Sequence, residues 1–218
     1  MKPLSILVIA IIFSILFIIP IASAHLPRIV TNNAITVISD PGISQAFYGN
    51  LTGQPAVYTL NSDSTPELYI QILLPDLPNP DFRTLAVLTQ NNTIISVLDG
   101  STYNWTSWHE DFANDDYWQG PNITITASGN YTITVTNTNN LGKYVLVIGN
   151  KESFPPVEMI KALMIMPQLK EFMGKSSMQA YNNRIGLYYY TMILIIALII
   201  SIAIIPRKRK KKESHKQG

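Results

Sequence analysis

Two histidines and one aromatic-acidic stretch hold the side chains of this sequence best suited to chemistry. His25 follows Ala22-Ser23-Ala24, an A-x-A pattern at which secretory signals are cleaved. Cleavage there makes His25 the first residue. Its free α-amine and Nδ1 then form a chelate that suits copper(II), which favours tetragonal nitrogen sites. His109 is the candidate third nitrogen. The stretch from Asp99 to Pro121 holds all three tryptophans, Trp105, Trp108 and Trp118, beside Glu110, Asp111, Asp115 and Asp116. Aromatic faces next to carboxylates can stack on sugar rings and bond their hydroxyls, which makes these seven residues a candidate ligand site. Asp111, Asn114, Asp115 and Asp116 are also candidate oxygen ligands for calcium. The alternative is a long loop whose aromatics cap the open end of a β-sandwich.

Met159, Met164, Met166, Met173 and Met178 offer thioethers to copper(I), or apolar filler to a helix face. A carboxylate pair such as Glu110 and Asp116 has no separation fixed by the sequence, as glycosidase chemistry would need. There is no G-x-S-x-G, H-E-x-x-H, P-loop or dinucleotide fingerprint. The expectation is a protein that is not an enzyme.

The elements that must position these residues lie between two membrane-type segments. Lys2, the apolar run Leu4 to Ile19 and Pro20 complete a signal peptide over residues 1–24. Residues 186–205 carry no charge and match the ~20 residues that span a bilayer. Tyr188, Tyr189 and Tyr190 open that run at the level where aromatic side chains prefer the interface. Pro206 ends it, and Arg207-Lys208-Arg209-Lys210-Lys211-Lys212 follows. Under the positive-inside rule residues 206–218 are a basic cytoplasmic tail, so His25 to about Arg184 is outside. The expected location is the cell membrane, single-pass, with type I topology.

Charge follows the same division. Hydrophobic residues make up 47% of the 218 and charged residues 14%, and the net charge is +2. Between His25 and Asn150 the bases are Arg28, Arg83 and Lys143, greatly outnumbered by Asp and Glu. An acidic domain repels phosphate backbones, so nucleic acid is excluded as a partner. The chain has no cysteine, which excludes disulfides, Cys-based zinc sites and thiol nucleophiles.

Residues 25–150 read as an extracytoplasmic antiparallel β-sandwich, jelly-roll or Ig-like, of about eight strands. The expected strands include 35–38, 56–60, 68–73, 122–126, 131–136 and 144–148, with a hairpin of 84–89 and 93–98 across Gln90-Asn91-Asn92. Tyr131, Ile133 and Val135 alternate with Thr132, Thr134 and Thr136. Tyr144 to Ile148 alternates poorly and reads as a strand buried on both faces. After Pro155-Pro156 the period becomes helical, with Val157, Ile160, Leu163, Met164 and Met166 on one face and Pro167 kinking or restarting the helix. Residues 151–185 are thus expected to form a helical membrane-proximal stalk, under the sandwich or on the lipid surface.

The run Gly53-Gln54-Pro55-Ala56-Val57-Tyr58-Thr59-Leu60 resembles the opening of the bacterial pre-peptidase C-terminal type of β-sandwich. Ala127-Ser128-Gly129-Asn130-Tyr131-Thr132-Ile133-Thr134-Val135, with Gly142-Lys143-Tyr144-Val145-Leu146-Val147 after it, is similar to its closing hairpin. The resemblance covers roughly residues 52–149 and implies an accessory or binding module with no catalytic residues to carry over. Such domains usually accompany a peptidase, and none is present. Ala24-His25-Leu26 also resembles the mature N-terminus of copper-dependent polysaccharide monooxygenases and of small periplasmic copper chaperones.

N-x-S/T sequons stand at Asn50, Asn91, Asn104, Asn122 and Asn130, all in the segment expected outside. The leading expectation is a cell-surface binding or structural module that engages an envelope polymer or a protein partner. The alternatives are a surface copper protein using His25, and an accessory subunit of a membrane complex.

Overall fold

The computed structural model describes residues 25–182 apart from 32–34, 64–66, 127 and 154, and residues 186–201 apart from 188, 192, 198 and 199. These fall into two units, one spanning Ala22–Ala180 and one made of the terminal residues. The larger unit is a two-sheet sandwich with a helix on one outer face.

Eleven strands form it: β1 (Leu26–Ile29), β2 (Thr36–Ile38), β3 (Gln45–Thr52), β4 (Ala56–Asn61), β5 (Glu67–Pro75), β6 (Leu85–Gln90), β7 (Thr93–Asp99), β8 (Thr106–Glu110), β9 (Asp115–Thr126), β10 (Asn130–Thr136) and β11 (Leu141–Ile148). One sheet has the order β1-β3-β11-β5-β9-β8, the other β2-β4-β10-β6-β7. Most neighbours are antiparallel, but β1 runs parallel to β3 and β2 parallel to β4. The expectation of about eight antiparallel strands is corrected on both counts. The missed strands are β1, β3 and β8, and the first half of β9.

The core lies between the sheets. Leu68, Ile70, Ile72 and Leu74 of β5 and Tyr144, Leu146 and Ile148 of β11 join Tyr58 and Leu60 of β4 and Tyr131, Ile133 and Val135 of β10 in one buried cluster. Each such side chain contributes roughly 1.5–3 kcal/mol by leaving water. The period of two therefore decides which residues of β10 enter, and Thr132, Thr134 and Thr136 take the other side. The β6–β7 hairpin closes through Asn91 and Asn92 at φ 49° and 64°, the doubly left-handed turn that matches strand twist.

The expected stalk residues contain helix α1 (Pro156–Phe172), with Pro at its start. Its buried positions are Ala162, Leu163, Met166, Leu169 and Lys170. They lie toward the outer face of the six-stranded sheet, where Phe172 meets Tyr48 edge-on at 5.4 Å between ring centroids. Two expectations are corrected here. The helix runs unbroken through Pro167, and the apolar face is rotated, with Val157, Ile160 and Met164 exposed. The second layer also explains β11. Val145 and Val147 are buried on the side opposite Tyr144 and Leu146, so the strand is covered on both faces.

Arg28 of β1 pairs with Glu158 of α1 at 2.6 Å. The helix ends in a Schellman motif: Gly174, at φ 67°, donates to Glu171 O at 3.0 Å, and Lys175 N donates to Lys170 O at 2.8 Å.

Residues 1–24 and 202–218 lie outside the described residues, and with them the expected signal peptide and basic tail. The expected span 186–205 is described in part, and its described residues are helical. Among the described residues no helix is long and apolar enough to cross a membrane.

Candidate functional site

The stretch expected as a loop is a 3-10 turn (Gly100–Thr102) followed by the β8–β9 hairpin, and the hairpin sends its candidate residues to different places. Alternation along β8 and β9 is the cause. Trp108 stands opposite Tyr117 and Glu110 opposite Asp115, toward the helix. His109 stands opposite Asp116 on the other side.

Trp105 and Trp118 close the open end of the sandwich. Both pack against the core cluster, and both sit 5.5 Å, centroid to centroid, from Phe82. Trp105 Nε1 donates to Gly100 O at 2.8 Å, and Trp118 Nε1 to Asp76 Oδ1 at 2.9 Å. Gly120 lies directly under the Trp105 ring: a Cβ there would come within 2.4 Å of it.

Glu110 and Asp115 turn inward. Glu110 Oε1 accepts from Phe112 N at 2.8 Å and Oε2 from Ala113 N at 2.6 Å, which ties the hairpin turn. Burial pushes its carboxyl up, partly offset by those two bonds. Asp115 is 1% exposed and binds Lys170 and Lys175 through separate oxygens, each at 2.8 Å. Asp116 instead lies outward, 2.6 Å from His109 Nδ1. The proposed calcium set therefore does not assemble. Asp115 is turned to two lysines, and adjacent Asp116 points to the opposite side. Among the described residues no group of three or more His, Asp or Glu side chains converges on a metal position.

What does assemble is a groove of about 480 Å³ on the outer side of the six-stranded sheet. His25, Tyr69, Gln71, Trp108, His109, Asp111, Gln119 and Glu152 line it, drawn from five separate parts of the chain. Position parity explains Tyr69, Gln71, Trp108 and Gln119, and His109, of the opposite parity, lies on the edge strand β8. Tyr69, Gln71 and Leu73 alternate with the core residues of β5, and Gln119 is the ladder partner of Leu73. Tyr69 Oη donates to Gln71 Oε1 at 2.9 Å, which orients that amide. His25 Nδ1 bonds Ser44 Oγ. Burial lowers the His25 imidazole pKa, with Glu152 opposing, so the ring stays neutral to lower pH. The groove is thus aromatic, rich in amides and acidic at its margin. Tyr69, Gln71, Gln119 and Glu152 were missed from the sequence; the alternation of β5 is the signal that could have found the first two.

A larger open groove of about 700 Å³ lies by β1, β2 and the start of α1. Three of its four charged residues, Arg28, Lys161 and Glu158, are paired with one another, and the fourth is Asp40. The five sequon asparagines Asn50, Asn91, Asn104, Asn122 and Asn130 are all exposed, and none lines the 480 Å³ groove.

No protein-family profile matches the chain, and no curated protein does. Among solved structures the chain is similar to the pre-peptidase C-terminal domain of collagenase from Bacillus anthracis. That similarity has a TM-score of 0.33 and 15% identity, and covers 55% of this chain and 97% of that one.

Proposed function

We propose that this chain is a single-pass, membrane-anchored cell-surface module that binds a neutral saccharide of an envelope polymer, without catalysing a reaction. The observation that carries this reading is the groove that gathers Tyr69, Trp108, Gln71 and Gln119 on one sheet face. Aromatic rings supply the flat apolar contact that sugar faces stack on, and the amides supply donors and acceptors for hydroxyls. Asp111 and Glu152 at the margin disfavour anionic ligands such as phosphates. Anchoring rests on the uncharged run 186–205 followed by six consecutive basic residues, and export on the signal pattern of residues 1–24. The full-length protein in mild detergent, applied to an array of neutral oligosaccharides, is expected to bind a subset. Trp108→Ala should lose that binding. Binding by the variant at wild-type level would sink the reading.

A second reading, copper at His25, is favoured by one observation: His25 and His109 line the same groove. It requires the cleaved N-terminus, and it requires both imidazoles to leave their present partners, Ser44 and Asp116. Copper(II) titration of the natural protein separates the two. Stoichiometric copper binding that His25→Ala abolishes is the result this reading expects; no copper binding by the wild type would remove it.

A further inference from the structure

Lys170 is 1% exposed and Asp115 is 1% exposed, and they meet at 2.8 Å beneath helix α1. Burying two charges costs several kcal/mol per ion, and an apolar pair in their place is often as stable or more so. Packing alone therefore does not explain why a lysine occupies the inner side of a helix whose other buried residues are apolar or small. Lys170 Nζ also donates to Ala113 O in the hairpin turn. Lys175 Nζ holds the second oxygen of Asp115 at 2.8 Å, brought back to the same carboxylate by the Gly174 turn. Glu110 is buried and is the cross-strand partner of Asp115. Tyr48 and Tyr117, hydrogen-bonded to each other at 3.1 Å, are buried beside these carboxylates. A nitrogen nucleophile, a carboxyl carbon one bond beyond its contact, a cation on the other oxygen and a second carboxyl group are the components of an amide condensation.

We propose that Lys170 and Asp115 condense to an intramolecular isopeptide bond, with Glu110 as proton carrier and Lys175 as the cation facing the oxyanion. Transfer of one proton within the pair gives the reacting form, an amine and a carboxylic acid. The Nζ lone pair attacks Cγ of Asp115, and the electron pair of the C=O bond moves to Oδ1, beside the Lys175 ammonium. Glu110, the buried cross-strand neighbour of Asp115, gives its proton to the Oδ2 hydroxyl. The Cγ–Oδ2 bond breaks, one water leaves and the carbonyl re-forms at Oδ1. Glu110 recovers a proton from the nitrogen and ends as it began. The products are one amide and one water, and no oxidant, reductant or cofactor is consumed. Holding the two groups in contact supplies the effective concentration that free amine and acid lack. The bond would tie α1 to the β8–β9 hairpin across 55 positions of sequence, a covalent staple in a chain without cysteine.

The test is peptide mapping of the full-length protein extracted from its membrane and freed of any glycans. Trypsin does not cut at an acylated lysine. The expected result is a branched peptide joining residues 84–143 to residues 162–175, lighter than the two together by one water. Lys170→Arg keeps a buried cation at the site and should yield only the separate peptides, with slower migration on a denaturing gel. Cleavage after Lys170 in the wild-type chain, with the Asp115 peptide at its unlinked mass, would overturn the proposal. Glu110→Gln is expected to leave the peptides separate; a full cross-link in that variant would overturn the role given to Glu110.

Discussion

Removing both hydroxyls from the centre of the sandwich should cost less than the two single removals added together. Tyr58 is 0% exposed and Tyr144 1% exposed, and their hydroxyls bond across the inter-sheet core at 2.7 Å. The ladder places Tyr144 opposite Gly49, where a Cβ would come within 2.3 Å of the Tyr144 hydroxyl, so a side chain there could not coexist with the ring. Tyr144→Phe leaves the Tyr58 hydroxyl buried and unpaired, at about 1–3 kcal/mol, and Tyr58→Phe does the same to Tyr144. The double variant removes both polar groups and leaves two phenyl rings in place. Its cost should fall below the sum of the single variants, with a coupling of about 1–2 kcal/mol. Denaturant unfolding of the detergent-solubilised protein measures this through tryptophan fluorescence, because Trp105 and Trp118 pack against the core. Strictly additive single and double variants would refute the reasoning.

Two further outcomes follow from the same structure. Burial holds the Tyr144 hydroxyl at about 12, while the unfolded chain ionises near the ordinary value of 10. The folded state then binds more protons than the unfolded one between those values. Stability is fully present below about pH 10 and falls as pH rises toward 12, by about 2–3 kcal/mol for this group. Unfolding midpoints across that range should show the loss, and Tyr144→Phe should show a shallower one. Gly174→Ala forces a non-glycine residue to φ 67° at the helix end, and should destabilise by about 1 kcal/mol. An unchanged unfolding midpoint would contradict the capping geometry.

The regular part of the sheet structure was legible because it alternates. The strands at β4, β5, β6, β7, β10 and β11 were each read within a few residues, and the Asn91-Asn92 turn lies where the hairpin expectation put it. β3 escaped because Gly49 and Asn50 interrupt a run that is buried on both faces, so it shows neither alternation nor a continuous apolar string. Only the second half of β9 reads as a strand in the sequence, because Gly120-Pro121 looks like the end of a loop; it is a bulge, where the register with β5 shifts and Trp105 packs on the glycine. The helix face was misread for a related reason. An amphipathic reading sends lysines outward, and Lys170 is inside because Asp115 of a distant hairpin receives it. The candidate site was legible only in part. Trp108, His109, Asp111 and His25 share a groove, but their partners Tyr69, Gln71 and Gln119 come from strands whose outer faces the sequence left unassigned.

The central claim is that the groove around Trp108 is the binding surface. Its most direct measurement is a fluorescence titration of the full-length protein with the best-retained neutral oligosaccharide, run beside Trp108→Ala and beside Lys161→Ala, which lies in the other groove. Saturable binding by the wild type and by Lys161→Ala, lost in Trp108→Ala with folding intact, is the predicted result. Equal affinity in all three proteins, or no saturable binding by the wild type, would contradict it.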